Sequence, residues 1–390
     1  MKNQHADYFD RQTKVVGQAT AEKIRNCAVL VIGAGAGGNE LLKNLILMGF
    51  GKLTIIDFDY IEDSNLSRTT LFRKDDIGKS KAIVAAQRLT EYSLHEDPDI
   101  KGIHGNIMTD IGPGIFTLHD IVVCCVDTLK ARAYINDWCV RFRKPFFEMG
   151  FDHLNVDISF FDPGKTNSPC LREIIGQGDF SGKRNSCSGL KIKDVELQHI
   201  PTIQVAAAMA GVLVAMEIIK LLQGKASLTN KLLQFYGAIS RMNVIEMGRS
   251  PDCRIHDEIL PDIEKLPVNV SMIADEFLAY VNKKWNDFFI LTLPERFVLS
   301  GVCQGCGIPL TFNKRFSLIY DDERWCSNCL KEKETWHPGN HEVVSEIHLM
   351  SKTPGILKSK LSDIGICPLD ILILKGIQSD PMKIVYIMIE

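Results

Sequence analysis

Three short strings near the amino end hold residues whose types and spacing suit a phosphorylated ligand: VIGAGAGG at 31–38, LTIIDFDYIEDSNLSR at 53–68 and DIGKSK at 76–81. Gly33, Gly35 and Gly38 occupy the G-x-G-x-x-G positions: the first for a tight turn, the second for close approach of backbone to a phosphate or ribose, the third for close packing of helix on sheet. Asp57 offers a carboxylate suited to ribose hydroxyls. Asn65, Arg68 and Lys81 follow, and they change the reading. A glycine loop with an acidic residue fits a nicotinamide or flavin enzyme, but two fixed cations just beyond the second strand fit an enzyme that works on a triphosphate. Arg68 supplies a planar fork and Lys81 a point charge. A second concentration of chemistry lies far downstream, where Cys303-x-x-Cys306 and Cys326-x-x-Cys329 are separated by 19 residues. That spacing fits two knuckles of a tetrahedral Zn²⁺ site, and four thiolates with no spare ligand make a closed, structural one.

The elements that must position the first group read as a βαβ unit: a strand over Ala28–Ile32, a helix over Asn39–Met48 and a strand over Leu53–Asp57. Ile121–Val126 reads as a further buried parallel strand that delivers Asp127 to the carboxyl edge of the sheet, where ligands of such sheets bind. Asp127 also precedes a helical stretch, Leu129–Cys139, so a helix cap is its alternative role. With 390 residues, 24% of them charged and 45% hydrophobic, the chain has room for two domains with proper cores. A net charge of −3 gives no reason to expect nucleic acid as a partner. The first residues, MKNQHADYFDRQTK, have no apolar stretch of a secretory signal, and the apolar run Val205–Met216 is short for a bilayer span, so a buried helix and no membrane association are expected. Twelve cysteines in such a chain point to thiols and metal ligation in a reducing compartment, the cytoplasm, more than to disulfides.

The strings D-x-D, S-N-L-x-R and D-I-G-x-x-K, with the run GAGAGGNELLKNLILMGFGKLTIIDFDYIEDSNLSR, resemble the ThiF/MoeB superfamily of adenylating enzymes, and its ubiquitin-activating members most closely. The resemblance covers roughly residues 5 to 260; Thr69 departs from it, standing where many members have Gln. It implies an α/β fold: a Rossmann-like adenylation domain with a mainly parallel sheet at 1–260, including a crossover loop at about 163–200. The remainder, 261–390, is expected to be a smaller α+β domain with a zinc ribbon at about 300–332. It implies ATP as the nucleotide, with Gly33, Gly35, Gly38, Asp57, Asn65, Arg68 and Lys81 around it, and Asp127 as the carboxylate that holds Mg²⁺. It further implies a carrier that is a ubiquitin-like β-grasp protein, and a homodimer in which Arg11, from YFDRQTKVVG, reaches the nucleotide of the partner subunit. The alternative for Arg11 is a solvated arginine on a surface helix.

An acyl adenylate can be released to a thiol donor or captured by a cysteine of the enzyme. Cys187, in KRNSCSG, lies in a polar, glycine-rich stretch beside Lys183 and Arg184, cations that lower a thiol pKa. The string running from Cys187 to Pro201–Thr202 resembles a bacterial subgroup of activating enzymes encoded beside conjugating-enzyme-like and deubiquitinase-like proteins. Cys187 is therefore the expected thioester cysteine and a conjugating-enzyme-like protein the expected acceptor, with Cys170 as the competitor. Family members that carry a zinc in the adenylation domain have two C-x-x-C pairs here; this chain reads CLRE at Cys170–Glu173 and CRIH at Cys253–His256. A metal site of Cys170, Cys253 and His256 would need Glu173 or another ligand. Three rival functions stay open: adenylation alone for a sulfur-carrier-type protein, a non-catalytic scaffold subunit of a heterodimeric activating enzyme, and a dinucleotide oxidoreductase.

Overall fold

The computed structural model describes residues 8–176, 203–261, 263–303, 305–315, 326, 328–329, 342–347, 354–379 and 382–390. The chain divides into two compact units, one of residues 1–108 with 115–260 and one of 109–114 with 261–390.

Among the described residues, the first unit is built on one eight-stranded sheet. Its strands are β1 (Ala28–Ile32), β2 (Lys52–Asp57), β3 (Asp99–His104), β4 (Ile121–Cys124), β5 (Phe146–Asp152), β6 (Asn155–Phe161), β7 (Lys231–Tyr236) and β8 (Arg241–Glu246), in the order β3-β2-β1-β4-β5-β6-β7-β8. The first five pair in parallel, and from β5 onward the pairing is antiparallel. Continuous apolar runs such as AVLVI in β1 and IVVC in β4 are what a strand covered on both faces requires, and β4 is wholly buried. Because β1 pairs with β2 on one side and β4 on the other, the order of the strands reverses at β1. A crevice opens at the carboxyl ends of strands where this happens.

The helices of this unit are α1 (Asp10–Val16), α2 (Gln18–Asn26), α3 (Ala36–Leu47), α4 (Lys81–Tyr92), α5 (Leu129–Arg141), α6 (Arg172–Ile175) and α7 (Gln204–Leu222). Helix α3 begins three residues before the sequence suggests. Gly37 and Gly38 weigh against a helix by propensity, but packing needs them inside one. A β-carbon on Gly37 would lie 2.7 Å from the Phe151 ring, and one on Gly38 only 2.0 Å from the Gly33 carbonyl oxygen. Strand β4 ends at Cys124, so Asp127 sits three residues past the strand; Cys125 donates one last ladder hydrogen bond to the Ile32 carbonyl before the chain leaves the sheet.

Helix α7 is expected to be buried, and it is so on one side only. Ala207, Ala210 and Val214 are inaccessible, while Val205, Val212 and Met216 are 61%, 42% and 53% exposed. Among the described residues it is the one helix long and apolar enough to cross a membrane. It nonetheless lies directly on α3: a β-carbon on Gly211 would fall 2.7 Å from the Leu41 nitrogen. Near its end the buried Glu217 accepts hydrogen bonds from the Ser227 and Leu228 amides, which anchors the turn into β7.

The second unit has β9 (Glu264–Leu266), α8 (Ala274–Trp285), β10 (Phe289–Val302), β11 (Pro309–Arg315), β12 (Glu342–Ile347), α9 (Pro354–Leu357), β13 (Ile371–Gly376) and β14 (Lys383–Ile389), with strand order β11-β10-β13-β14-β9 and β12 beside β10. Strand β9 lies in ILPDIEKLPVN and pairs in parallel with β14. Phe277, Leu278 and Val281, one face of α8, join Phe289, Leu291, Leu372 and Leu374 in the core. The unit also takes in 109–114 from the connection between β3 and β4, where the Gly112 and Gly114 amides donate to the Pro368 and Leu369 carbonyls at 2.8 Å each. Glycine is required there, since β-carbons would meet the Asp370 nitrogen at 2.0 Å and the Met388 sulfur at 2.2 Å. Non-local insertions of this kind leave no periodic signal.

The closeness of α7 and α3 sets a prediction. Gly211→Val should lower unfolding stability by about 1–3 kcal/mol, the cost of overpacking, read as a fall in urea midpoint at unchanged slope; an unaltered midpoint would mean the two helix backbones are not in contact.

Candidate functional site

The carboxyl edge of the parallel strands gathers the glycine loop and the acidic residues into one place. After β1 ends, the Gly33 amide donates to the Ile56 carbonyl at 2.8 Å, and its φ of +102° lies where a side chain is strained. A β-carbon there would also strike the Cys125 carbonyl oxygen at 2.5 Å, so the loop lies flat between β2 and the exit of β4. Gly35 is different, for nothing stands within 4 Å of the position its β-carbon would take. It is the extended residue that precedes α3, whose first-turn amides are the donors a phosphate can use. Asn39, fully buried, fixes the loop from inside: its amide donates to the Ala34 carbonyl at 2.7 Å and its oxygen accepts from Leu71 at 2.9 Å.

Asp57, the last residue of β2, joins this loop to the next string. One carboxylate oxygen accepts the Ala34 amide at 2.6 Å and the other the Asp59 amide at 2.8 Å. Burial pushes its pKa above the ordinary value, against the pull of those two amides and of Lys81. The string that follows lies alongside DIGKSK: Ile61 donates to Lys79, Gly78 to Ile61, and Lys81 to Asp59, at 2.9, 2.8 and 3.0 Å. This brings the Lys81 ammonium to 2.8 Å from Asp59, with only 11% of the lysine side chain exposed. A cation held in that way is positioned before any ligand arrives, which is what electrostatic stabilisation of a departing phosphate needs.

Asn65 is buried in a 3-10 turn, Asp63–Arg68, where its side-chain oxygen accepts the Glu62 amide at 3.0 Å. It shapes the turn that ends in Arg68, which is half-buried. Asp127 is exposed just after β4, and the cap of α5 is made by Thr128, whose hydroxyl accepts from Ala131 at 3.3 Å. The competing use of Asp127 as that cap is thereby removed. Arg11 is exposed on α1. Cys187, with Lys183 and Arg184, lies outside the described residues. Cys170 is fully buried and burial pushes its thiol up, followed by the charge of Glu173. Two groups at this edge escape a sequence reading. Asp59 is visible in D-x-D only as a spacing, and His104, beside Asp57 in the β2–β3 register, touches the Ser80 hydroxyl at 3.1 Å and lies tilted by 45° against the Tyr60 ring, centroids 4.7 Å apart.

In the second unit Cys303, Cys306, Cys326 and Cys329 each present a sulfur within 4.8 Å of the others, with Cys306 and Cys326 3.8 Å apart. Burial opposes ionisation of Cys303, but the amides of Cys326, Cys306 and Gly305 outweigh it and bring its pKa to about 6. Cys329 moves the other way, to about 12, through hydrogen bonds with Cys306 and Cys326. Four thiols so close cannot all ionise without a cation among them; the donor set fits tetrahedral Zn²⁺.

Known proteins resemble the first unit. The profile of the ThiF family matches residues 9–255. SUMO-activating enzyme subunit 2 of Dictyostelium discoideum is 40% identical over 162 residues, 41% of this chain and 24% of that protein. Ubiquitin-activating enzyme E1 1 of Candida albicans is 39% identical over 155 residues, 36% of this chain and 15% of that protein. The matched stretch thus spans a quarter or less of these relatives. Among solved structures, E. coli MccB crystallised with ATP superposes with a TM-score of 0.52 at 24% identity, over 65% of this chain and 75% of that one. MccB with MccA-N7isoASN gives 0.53 at 23% identity with the same coverage. At these identities the likeness is one of fold.

The four-thiolate cluster makes a prediction of its own. Replacing Cys303 and Cys326 together by Ala should remove one equivalent of zinc per chain and loosen the second unit, seen by elemental analysis and by faster amide exchange in β10 and β11; full zinc content in that variant would rule the cluster out as a site.

Proposed function

The chain belongs to the ThiF family, and from that premise we propose that it uses ATP to adenylate the C-terminal carboxylate of a ubiquitin-like β-grasp protein, then carries that protein as a thioester on Cys187 for a conjugating-enzyme-like acceptor. The observation that carries the first half is the joining of the glycine loop, Asp57 and the Asp59–Lys81 pair at the strand-order reversal. The amides around Gly35 receive the phosphates, Asp57 the ribose, and Arg68 and Lys81 the charge that grows as pyrophosphate departs. An oxygen of the carrier carboxylate forms a bond to the α-phosphorus, and the bond from that phosphorus to the bridging oxygen breaks, its electron pair leaving with pyrophosphate. Asp127, not consumed as a helix cap, is the carboxylate for a Mg²⁺ ion, which when bound neutralises charge on the leaving group.

Capture as a thioester follows when a cysteine thiolate attacks the acyl carbon and AMP leaves with the former carboxylate oxygen. Cysteines of the first unit among the described residues do not suit that step. Cys27, Cys124, Cys139, Cys170 and Cys253 are buried, and burial pushes the thiols of Cys27, Cys125 and Cys139 well up, that of Cys27 to about 12. This supports Cys187 over Cys170. Arg11, exposed on α1, is assigned to the nucleotide of the other subunit in a homodimer, and thiolate metal ligation fits a reducing, cytoplasmic setting. The presence of Arg68, Lys81 and Asp127 together argues against a non-catalytic scaffold subunit.

Arg68→Ala and Lys81→Ala should each slow carrier-dependent ATP–pyrophosphate exchange by about a hundredfold to a thousandfold, the scale of losing one preorganised charge; rates within a few-fold of wild type would remove these residues from the reaction. Cys187→Ala should leave that exchange intact and abolish an adduct with the carrier that reducing agent cleaves. An adduct that survives the substitution assigns the thioester to another cysteine, and exchange with no adduct in any variant, wild type included, assigns the chain to adenylation alone.

A further inference from the structure

None of the residues assigned to the nucleotide comes from β3, yet that strand seats the helix that brings one of them. Helix α4 begins at Lys81, and its first turn lies directly on β3: a β-carbon on Gly102 would fall 2.4 Å from the Ala82 carbonyl oxygen. Two residues further along the strand, His104 Nδ1 stands 3.1 Å from the Ser80 hydroxyl. Residues i and i+2 share one face of a strand. Gly102 and His104 thus meet α4 on either side of Lys81, one at residue 82 and the other at residue 80.

Ser80 is held from two directions. It is the N-cap of α4, its hydroxyl oxygen accepting the Ile83 amide at 3.5 Å. Its backbone bridges to Tyr60 in antiparallel fashion, and the next amide, that of Lys81, donates to the Asp59 carbonyl at 3.0 Å. The chain after β2 therefore grips the start of α4 from one side, and His104 reaches it from the other. His104 is itself fixed in place: it lies beside Asp57 in the strand register, the following Gly105 amide donates to the Asp57 carbonyl at 3.2 Å, and its ring rests against that of Tyr60.

The consequence falls on Lys81. A lysine is a point charge on a flexible four-carbon stem, so where its ammonium rests depends on where its backbone is anchored. Lys81 is the first residue of its helix, and the flank that lies outside the helix is Ser80. His104 is exposed, and a side-chain hydrogen bond open to water adds little net stability. What it adds is a third point of support for the turn from which the Lys81 ammonium reaches Asp59.

We propose that His104 is a positioning residue for Lys81: acting through the Ser80 hydroxyl, it fixes the start of α4 so that the Lys81 ammonium meets the phosphates of Mg·ATP. The proposal rests on the reading of Lys81 as a phosphate ligand, and His104 itself touches no part of the nucleotide in it. The end of β3 thereby becomes part of the triphosphate site, through a contact between residues 24 apart in the chain. Preorganisation of a charge is what makes it effective on a phosphate, and His104 supplies part of that preorganisation.

The test is a double-mutant cycle on the full chain, read by calorimetric titration with Mg·ATP. His104→Ala should raise the Kd about three- to tenfold, the scale of one net hydrogen bond. In a Lys81→Ala background the same substitution should change the Kd by less than about twofold, because the residue through which it acts is gone. His104→Asn, whose side-chain amide places a polar atom as many bonds from the main chain as Nδ1, should bind Mg·ATP nearly as wild type does. Should His104→Ala fail to fold by far-UV circular dichroism, Ser80→Ala in both backgrounds makes the same comparison. A wild-type Kd for His104→Ala while Lys81→Ala binds weakly overturns this proposal alone, and so does an equal loss in both backgrounds. A wild-type Kd for Lys81→Ala removes Lys81 from the phosphates, and this proposal with it.

Discussion

The first unit depends on three backbone segments meeting with no room for side chains between them. The turn at Gly33 lies against the Cys125 carbonyl on one side and hydrogen-bonds β2 on the other, and Gly38 brings the start of α3 against the Gly33 carbonyl. Close packing at this point is unforgiving, because neither partner is the flexible end of a side chain. It fixes the direction of α3, and with it the direction of the free amides at its start. Asp57 then joins the same turn to the strand beside it through the Ala34 amide.

Charge placement follows from that backbone. Lys81 is aimed by the pairing of DIGKSK with the chain after β2, and Asp59 holds its ammonium ready. Half of the Asp59 side chain is open to solvent, and an ion pair screened in this way contributes little to stability, commonly under about 1 kcal/mol. Its value is in position. The four cysteines from Cys303 to Cys329 work in the opposite sense: their thiolates would be costly to bring together without a cation, and a cation that relieved the cost would close a loop of chain.

Much of this was legible in the sequence because it is written in local strings. The βαβ order, the glycine positions, Asp57 and both C-x-x-C pairs are short-range patterns with physical reasons for each residue. What the strings could not convey was contact between distant segments. Helix α3 starts at Ala36 because Phe151 and the Gly33 carbonyl accept only glycine beside them, which outweighs propensity. Residues 109–114 join the second unit through hydrogen bonds to 368 and 369, and no periodicity foretells that. Half-exposure of α7 was hidden for another reason: an apolar helix reads the same whether one side or both are covered. Cys170, Glu173, Cys253 and His256 were visible as two broken pairs, and only the fold shows that one ligand atom of each lies within 4.8 Å of the others.

The central claim is that the loop, Asp57 and the fixed cations form a site for a triphosphate, whereas the glycine fingerprint alone would suit a dinucleotide. Calorimetric titration of the full chain with Mg·ATP and, separately, with NAD tests it without knowledge of the carrier. The account predicts saturable binding of one Mg·ATP per chain and no heat from NAD; saturable binding of NAD with none of ATP would contradict it.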